Sequence, residues 1–271
     1  MPKNKYSILS LQESFMIQHK KHHHLITFCR IFLFLIFLSI WELSAAFGWI
    51  DYFFFSSPCR VIMCFVNQIK TNDLILHIGI TLLETMISFI LVLIISILIA
   101  TLLWYSQITS EIAEPYLVIL NSLPKSALAP LFIVWLGSGM TTIIVAGLSV
   151  AVFGSCISLY AGFQHVDSDK ITLIYTLGGK KQDAFLKVVL PGSLPILLST
   201  AKVNIGLALV GVIIGEFLAA RRGLGYLIIY GSQVFRLDMV ITSIIILCII
   251  ALFFYQGIQL LEHKIKKKYR L

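Results

Sequence analysis

The sequence predicts an all-α membrane protein with about six transmembrane helices and a cytoplasmic two-helix loop between the fourth and fifth. Of the 271 residues, 58% are hydrophobic and 13% are charged, whereas an ordinary soluble domain has roughly 25% charged residues. The apolar runs are continuous rather than alternating, which argues against a transmembrane β-barrel. A charged segment with glycines and prolines, "YTLGGKKQDAFLKVVLPGSLPIL" at 175–197, interrupts these runs.

The predicted spans follow from the length of the apolar runs, because a membrane-spanning helix needs about 20 mostly apolar residues. Six segments meet this requirement: 28–48, 79–103, 116–137, 141–162, 196–219 and 239–260. The third is the least regular, since it contains Asn121, Pro124, Lys125 and Pro130. The first has a longer apolar core than a secretory signal and follows a polar segment, so we interpret it as an uncleaved anchor.

The positive charges predict the orientation, because cytoplasmic segments of membrane proteins are enriched in Lys and Arg. With the N-terminus inside, fourteen of these residues lie in inner segments and five in outer ones. We therefore expect both termini in the cytoplasm, with an N-terminal segment (1–27), a transmembrane domain (28–262, polar loop at about 165–195) and a basic tail (263–271). Topology and contact with membrane lipid headgroups account for the net charge of +8, so no nucleic acid is expected as a partner.

The sequence offers little catalytic chemistry. The five cysteines are scattered without a C-x-x-C pair, which predicts neither a disulfide framework nor a zinc site. We interpret "HKKHHH" at 19–24 as a solvated juxtamembrane stretch, with a metal site as the alternative. Walker A, H-E-x-x-H and G-x-S-x-G motifs are absent from the sequence, so we expect no catalytic residue, no metal site and no cofactor in this chain.

Two further segments carry structural signals. After the first span, "FFFSSP" at 53–58 predicts an extended piece, because a residue before proline avoids the helical region. "CRVIMCFVNQI" at 59–69 predicts a short helix at the membrane interface. Small residues recur every four positions in span four and form G-x-x-x-G at 211–215 in span five, which favours close helix packing. This packing can lie within one bundle or at a subunit interface.

The interrupting segment predicts two short amphipathic helices. The first is capped by Asp167, Ser168 or Asp169 and runs through Leu177, where Gly178 and Gly179 end it. The second starts near Lys181 and stops at Pro191, and Pro195 lies where the next span begins. Their apolar faces are too short to cross a membrane, so we expect a soluble partner protein to cover these faces.

"TLGGKKQDAFLKVVLPGSLP" resembles the coupling-loop motif of the membrane subunits of bacterial ABC importers. The match includes the Leu-Gly pair, an aromatic residue seven positions after the glycine, and "VVLP". "GEFLAARRGLGYLI", "FFFSSPCRV" and "SLPKSALAPLFIVWLGSG" resemble the subgroup that handles sulfonates, taurine, nitrate and thiamine precursors. Two features depart from the family: Thr172 stands where the motif has an acidic residue, and "YSQITSEIAEP" replaces a basic cluster.

The resemblance implies a division of labour. Two copies of the permease would form the pathway in the bacterial inner (plasma) membrane, and two ABC ATPase subunits would bind ATP and grip the coupling loops. A periplasmic or lipoprotein solute-binding protein would deliver the solute, a small organic anion or a vitamin precursor. The coupling-loop residues implied by the match are Thr172, Leu177, Gly178, Gly179, Phe185, Val188, Leu190, Pro191 and Pro195.

Polar residues inside spans are costly and often functional. The candidates for the solute pathway are Asn121, Lys125, Asn204 and Glu216, with Lys202 and Glu84 as further intramembrane charges. Lys125 fits an anion-attracting role, a structural ion pair or a water-facing position. Glu216 matches a family glutamate near the outer end of span five, and it fits either structural hydrogen bonding or solute contact.

Two other classes of protein remain as rivals. A secondary transporter would work without an ATPase, but the expected inverted repeats are not evident in this sequence. A membrane enzyme would need a cluster of catalytic polar residues at one depth, and the sequence shows none.

Overall fold

The computed structural model describes the backbone of residues 4–71 and 73–269, and the side chains of 25–51, 53–71 and 73–267. Throughout these ranges the chain forms helices joined by short turns, without a strand. The helices are α1 (Asn4–Ala46), α2 (Tyr52–Phe55), α3 (Pro58–Lys70), α4 (Asp73–Tyr105), α5 (Gln107–Ser122), α6 (Lys125–Leu136), α7 (Met140–Gln164), α8 (Ser168–Thr176), α9 (Lys181–Ala184), a π-helical turn (Phe185–Val189), α10 (Leu190–Gly192), α11 (Leu194–Ala219), α12 (Leu224–Gln233) and α13 (Leu237–Tyr269).

The chain divides into two units, 1–63 and 64–271. In the first unit, the apolar part of α1 (Leu25–Ala46) is long enough to cross a membrane. The Glu42 carboxylate accepts a hydrogen bond from the Cys59 backbone N–H at 3.0 Å, near the start of α3. A carboxylate suits this place because the first N–H groups of a helix lack partners within it.

The second unit contains four further helices that are long and apolar enough to span: α4, α7, α11 and the Leu237–Lys267 part of α13. The pair α5 and α6 satisfies the same criteria together but is bent by 95° at its break. The described chain therefore has five spans, or six if the bent pair counts as one, in agreement with the predicted all-α membrane fold. The third predicted span, 116–137, is thus a broken one, and Pro124 lies at the break.

The small residues of spans four and five pack α7 against α11 within this one chain. A Cβ added at Gly211 would lie 2.7 Å from the Gly147 Cα, and one at Gly215 would lie 2.9 Å from the Ile143 Cα. Only hydrogen fits at such distances, so the two backbones approach closely along this seam. Of the two possibilities that the sequence left open, the structure shows packing within the bundle.

An ion-pair network joins α11 to α13. Lys202 Nζ lies 2.5 Å from Glu262 Oε2, and Lys266 Nζ lies 2.9 Å from Glu262 Oε1. Both Glu262 oxygens are therefore paired, and the charge of Lys202 is neutralised where its helix enters the membrane.

Two local predictions were wrong. Residues 53–55 lie in α2, and the chain leaves the helical conformation only at Ser56 and Ser57 before Pro58. Pro191 does not stop the second short helix, because helical turns continue through it to Gly192. A proline is tolerated in the first turn of a helical segment, where its missing N–H is not needed. The π-helical turn at Phe185–Val189 contains one extra residue, and a new helical segment begins after it at Leu190. Pro191 therefore lies in the first turn of that segment.

Candidate functional site

A polar cavity of about 380 Å³ lies between α5, α7 and α11. Its lining combines hydroxyl and amide groups with small and branched apolar residues: Asn121, Val150, Gly154, Ser155, Ser158, Ser199, Thr200, Val203, Asn204 and Leu207. Asn204 lies ten residues into α11, which corresponds to about 15 Å of helix. The cavity is therefore deep within the spanning region.

The back wall of the cavity is held by one buried hydrogen bond. The Asn204 amide nitrogen donates to Ser155 Oγ at 2.7 Å, and both residues are 2% exposed. This bond joins α7 to α11, and it satisfies two groups that would otherwise be costly to bury. Asn204 is thereby fixed in position at the cavity wall.

Asn121 enters the cavity from the last turn of α5. A Cβ added at Gly154 of α7 would lie 3.2 Å from Asn121 Oδ1, so the glycine makes room for the amide. Asn121, Ser158 and Ser199 are exposed in the single chain, and polar groups at this depth rarely face lipid. This side of the cavity is therefore suited to water, to a solute or to a second protein surface.

Lys125 is not part of the cavity lining. It begins α6 beyond the break after Ser122, and its ammonium donates to the Leu120 carbonyl oxygen. The same ammonium lies 5.3 Å from the centre of the Phe153 ring, a cation–π distance. These contacts favour a structural role for Lys125. Of the four predicted pathway residues, Asn121 and Asn204 line the cavity, while the Lys125 ammonium lies beside it, at the chain neighbours of the lining residues Asn121 and Gly154.

Glu216 also lies outside the cavity, in a second polar cluster that joins α4, α11 and the start of α12. Thr81 Oγ1 donates to Glu216 Oε1 at 2.6 Å, and the Gly225 N–H donates to Glu216 Oε2 at 2.5 Å. Thr81 Oγ1 in turn accepts the Leu224 N–H at 2.9 Å. Glu216, 1% exposed, therefore holds the turn at 223–225 against α4, which favours the structural interpretation of this residue.

Glu84 completes this cluster. Its carboxyl group is buried close to that of Glu216, and among the described residues Glu84 Oε2 has no hydrogen-bond partner there. His77 contributes as well, because its Nδ1 accepts the Gly223 N–H at 2.8 Å. Sequence reasoning identified both glutamates as intramembrane charges but had no signal that they lie close together.

The predicted coupling loop lies between α7 and α11. In α8, the Asp167 side chain accepts the Asp169 N–H at 3.0 Å and caps the helix as expected. Gly178 follows with φ of +81°, and the Gly179 N–H donates to the Ile174 carbonyl at 2.9 Å. A Cβ at Gly179 would lie 2.5 Å from Ile174 Cγ2. Both glycines are thus required, one for its left-handed backbone and one for close approach.

No residue of α8 is buried in this chain. Leu173, Tyr175 and Leu177 are 57%, 44% and 75% exposed. Thr172 is also exposed, and its hydroxyl donates to the Ser168 carbonyl within the helix. Leu173 and Leu177, four positions apart, share one face, and Tyr175 points to the opposite side. These three exposed side chains, which we call the α8 apolar surface, are therefore uncovered.

The segment after Gly179 behaves differently, because its apolar face packs against the bundle. Phe185 is 5% exposed, with its ring centre 5.2 Å from that of Trp104 and 5.5 Å from that of Phe163. Val189 is fully buried in the same cluster, and Leu190 packs against it. The expectation that a soluble partner covers this second face is therefore wrong for Phe185 and Val189.

The two remaining residues of the predicted coupling motif lie at the edge of this segment. Val188 is half-buried, and Pro195 lies in the first turn of α11, as predicted.

Polar contacts fix the same segment. Lys181 Nζ donates to the Tyr105 carbonyl at 2.9 Å, at the end of α4. Asp183 accepts from Lys187 Nζ and from the Lys180 N–H, both at 2.9 Å. The hydrogen bond from the Lys187 ammonium, with that from Lys180, holds the pKa of Asp183 below its usual range. Residues 180–192 are therefore anchored to α4 and α7, and the turn at Gly178 connects this anchor to the exposed α8.

Sequence reasoning missed most of the cavity lining. The sequence offered no separate reason to select Ser158, Ser199 or Thr200 from the other residues of their spans. One signal was available, because residues three or four positions apart lie on the same face of a helix. This applies to Ser155 with Ser158 and to Thr200 with Asn204. Within the described residues, no group of three or more His, Cys, Asp or Glu side chains could hold a metal ion. The side chains of the "HKKHHH" stretch lie outside the described residues.

Comparison with known proteins gives consistent results. Residues 92–267 match the family described as "binding-protein-dependent transport system inner membrane component". The chain is 31% identical to a probable ABC transporter permease protein of Haemophilus influenzae over 84% of this chain and 92% of the relative. It is 27% identical to the formylaminopyrimidine transport permease ThiX of Halalkalibacterium halodurans (85% and 91%) and 26% identical to the putative aliphatic sulfonates transport permease SsuC of Bacillus subtilis (85% and 83%).

The fold is also similar to a solved structure. A chain from an inward-facing conformation of the MetNI methionine ABC transporter superimposes with a TM-score of 0.63, covering 72% of this chain and 95% of that one at 20% identity. At this identity the likeness concerns the fold alone.

Proposed function

The chain belongs to the binding-protein-dependent transport system inner membrane components and is an ABC transporter permease, and from this premise we propose how its parts serve ATP-driven import. It forms the solute pathway, and α8 with the Gly178 turn couples that pathway to a separate ATPase subunit. ATP is bound by the partner subunit, and this chain has no ATPase site of its own.

The observation that carries the proposal is the contrast between α8 and the segment that follows it. The α8 apolar surface is uncovered, whereas Phe185 and Val189 are buried against α4 and α7. Covering three apolar side chains stabilises a complex in proportion to the area removed from water. When an ATPase subunit bound to α8 moves, the Gly178 turn can therefore transmit the movement to the anchored segment at 180–192. The movement then reaches the helices that line the cavity.

The solute pathway uses the polar cavity. Asn121 and Asn204 provide amide groups, and Ser155, Ser158 and Ser199 provide hydroxyl groups at one depth. Exposed polar groups deep in a span need a cover other than lipid, and a second copy of this permease supplies it. Lys125 and Glu216 support the helices around the pathway rather than contacting the solute.

The wider assembly follows the family. Two permease copies, two ATPase subunits and a periplasmic or lipoprotein solute-binding protein form the importer, in a bacterial inner membrane with both permease termini in the cytoplasm. The relatives named for aliphatic sulfonates and for formylaminopyrimidine support two solute classes, a small organic anion and a vitamin precursor.

Co-purification tests this function. We expect an ABC ATPase subunit encoded with this chain to purify with it from detergent, and proteoliposomes of the complex to accumulate solute only with ATP and the binding protein. Substituting the α8 apolar surface by Leu173→Ser and Leu177→Ser should weaken co-purification, whereas Lys170→Ser on the same helix should not. Solute accumulation by the permease alone, driven by an ion gradient, would contradict the proposal and favour the secondary transporter.

Filling the cavity provides a separate prediction. Gly154→Leu should reduce the maximal rate of uptake at least tenfold, because the new side chain meets Asn121 and occupies the cavity. ATPase co-purification should stay unchanged, since Gly154 lies ten residues, or about 15 Å of helix, before the end of α7. The matched control is Gly206→Leu in α11, where an added Cβ meets no atom within 4 Å. Normal uptake by the Gly154→Leu variant would show that solute does not pass this cavity.

A further inference from the structure

The cavity lining carries no formal charge. All ten lining residues are glycine, aliphatic, hydroxyl or amide residues. An anion that enters a membrane is costly to desolvate, and a cation in the pathway offsets this cost most strongly. The charges in the neighbouring spans therefore decide which class of solute the cavity can hold.

The nearby intramembrane charges lie outside the cavity lining. Lys202 pairs with Glu262 at 2.5 Å, and the Lys125 ammonium is bound to the Leu120 carbonyl and lies over the Phe153 ring. Glu84 and Glu216 belong to the cluster at the 223–225 turn. Among the described residues, none of these charged side chains is one of the ten that line the cavity, and the Lys125 ammonium, which lies nearest to it, is held by the Leu120 carbonyl and the Phe153 ring.

The hydrogen-bonding groups of the lining, by contrast, are available. Within the described part of the chain, the side chains of Asn121, Ser158, Ser199 and Thr200 make no hydrogen bond, and the Asn204 carbonyl accepts none. Hydroxyl and amide groups both donate and accept, so they can replace the water shell of a neutral polar molecule group by group. Val150, Val203 and Leu207 add an apolar surface on which such a molecule can lie.

We propose that this cavity admits an uncharged, hydrogen-bonding solute, such as a small amino- or amido-substituted heterocycle, and disfavours anions such as aliphatic sulfonates. The proposal rests on the proposed function in that it takes the cavity as the solute pathway. A second copy related by two-fold symmetry would present the same uncharged residues from its own cavity face. Of the two solute classes that the relatives support, the lining thus favours the neutral vitamin precursor over the organic anion.

Thiol labelling tests the preference without knowledge of the natural solute. Ser158→Cys and, as a second position, Ser199→Cys are made in a chain whose five cysteines are replaced by alanine. Each is purified with its ATPase subunit and placed in lipid nanodiscs. Two reagents of the same chemistry are compared: neutral methyl methanethiosulfonate and the anionic sulfonate 2-sulfonatoethyl methanethiosulfonate. The control is Gln182→Cys, an exposed position, made together with Lys180→Gln and Lys187→Gln, so that the remaining charges of Lys181 and Asp183 offset each other.

We expect the ratio of neutral to anionic labelling rates to be at least about tenfold higher at the two cavity positions than at Gln182→Cys. A ratio equal to the control, or faster labelling by the sulfonate, would overturn the proposal, and so would a complete lack of labelling at both positions, since a closed cavity admits no solute. Failure of the parent chain to bind an ATPase subunit would instead contradict the proposed function. The two failures are thus distinguished within one set of preparations.

Discussion

Replacing Gly178 with valine is expected to abolish ATP-driven uptake while the protein still reaches the membrane at its normal level. Gly178 has φ of +81°, a conformation that costs a non-glycine residue about 1–2 kcal/mol and more when the side chain is β-branched. The strain is relieved when the turn unwinds, which changes the direction of α8 relative to the anchored segment at 180–192. The bundle keeps its core because no residue of α8 is fully buried, and Ile171 is the α8 side chain that packs at the edge of the Phe163–Phe185 cluster.

The measurement is uptake per amount of membrane-inserted protein, together with the amount of ATPase subunit that co-purifies. Gly178→Asn is the matched control, because asparagine tolerates the left-handed region better than other non-glycine residues. We expect this variant to retain a substantial part of the uptake. Full uptake by Gly178→Val would show that the turn does not transmit force, even if α8 still binds the ATPase subunit.

The sequence was sufficient for features that depend on local chemistry. Apolar run length predicted the spans, and the Gly178–Gly179 pair predicted the end of α8 because few residues other than glycine form such a turn. The close seam of α7 and α11 followed from the spacing of Gly211 and Gly215, although the sequence could not tell whether the neighbour belonged to the same chain.

Features that depend on distant contacts could not be predicted in the same way. An amphipathic face such as that of Phe185 and Val189 shows that a cover is needed, but not that α4 and α7 provide it. Asn121 and Lys125 are four residues apart, and on one continuous helix they would share a face. The 95° bend between α5 and α6 interrupts that helix. Of the two residues only Asn121 lines the cavity, while the Lys125 ammonium binds the adjacent Leu120 carbonyl. Asn204 meets Ser155 across 49 positions of the chain, a contact that no local pattern encodes.

Replacing Glu216 with alanine is expected to destabilise the permease rather than to change its affinity for solute. The substitution leaves the Thr81 hydroxyl and the Gly225 N–H buried without their acceptor, and each unsatisfied group costs about 1–3 kcal/mol. For a domain of this size such a loss lowers the unfolding temperature by roughly 10 °C, which thermal unfolding of the detergent-solubilised protein measures.

Two variants make this result specific. Glu114→Ala removes an exposed carboxylate of α5 and should leave the unfolding temperature unchanged. Glu216→Gln keeps an acceptor oxygen for either Thr81 or Gly225 but not for both, so its unfolding temperature should lie between those of the native protein and Glu216→Ala. Native stability of Glu216→Ala with a raised KM for uptake would contradict the structural role and place this residue in contact with solute. Because Glu216 holds the 223–225 turn while the cavity is built by Asn121, Ser155 and Asn204, we expect stability and transport to respond to separate substitutions.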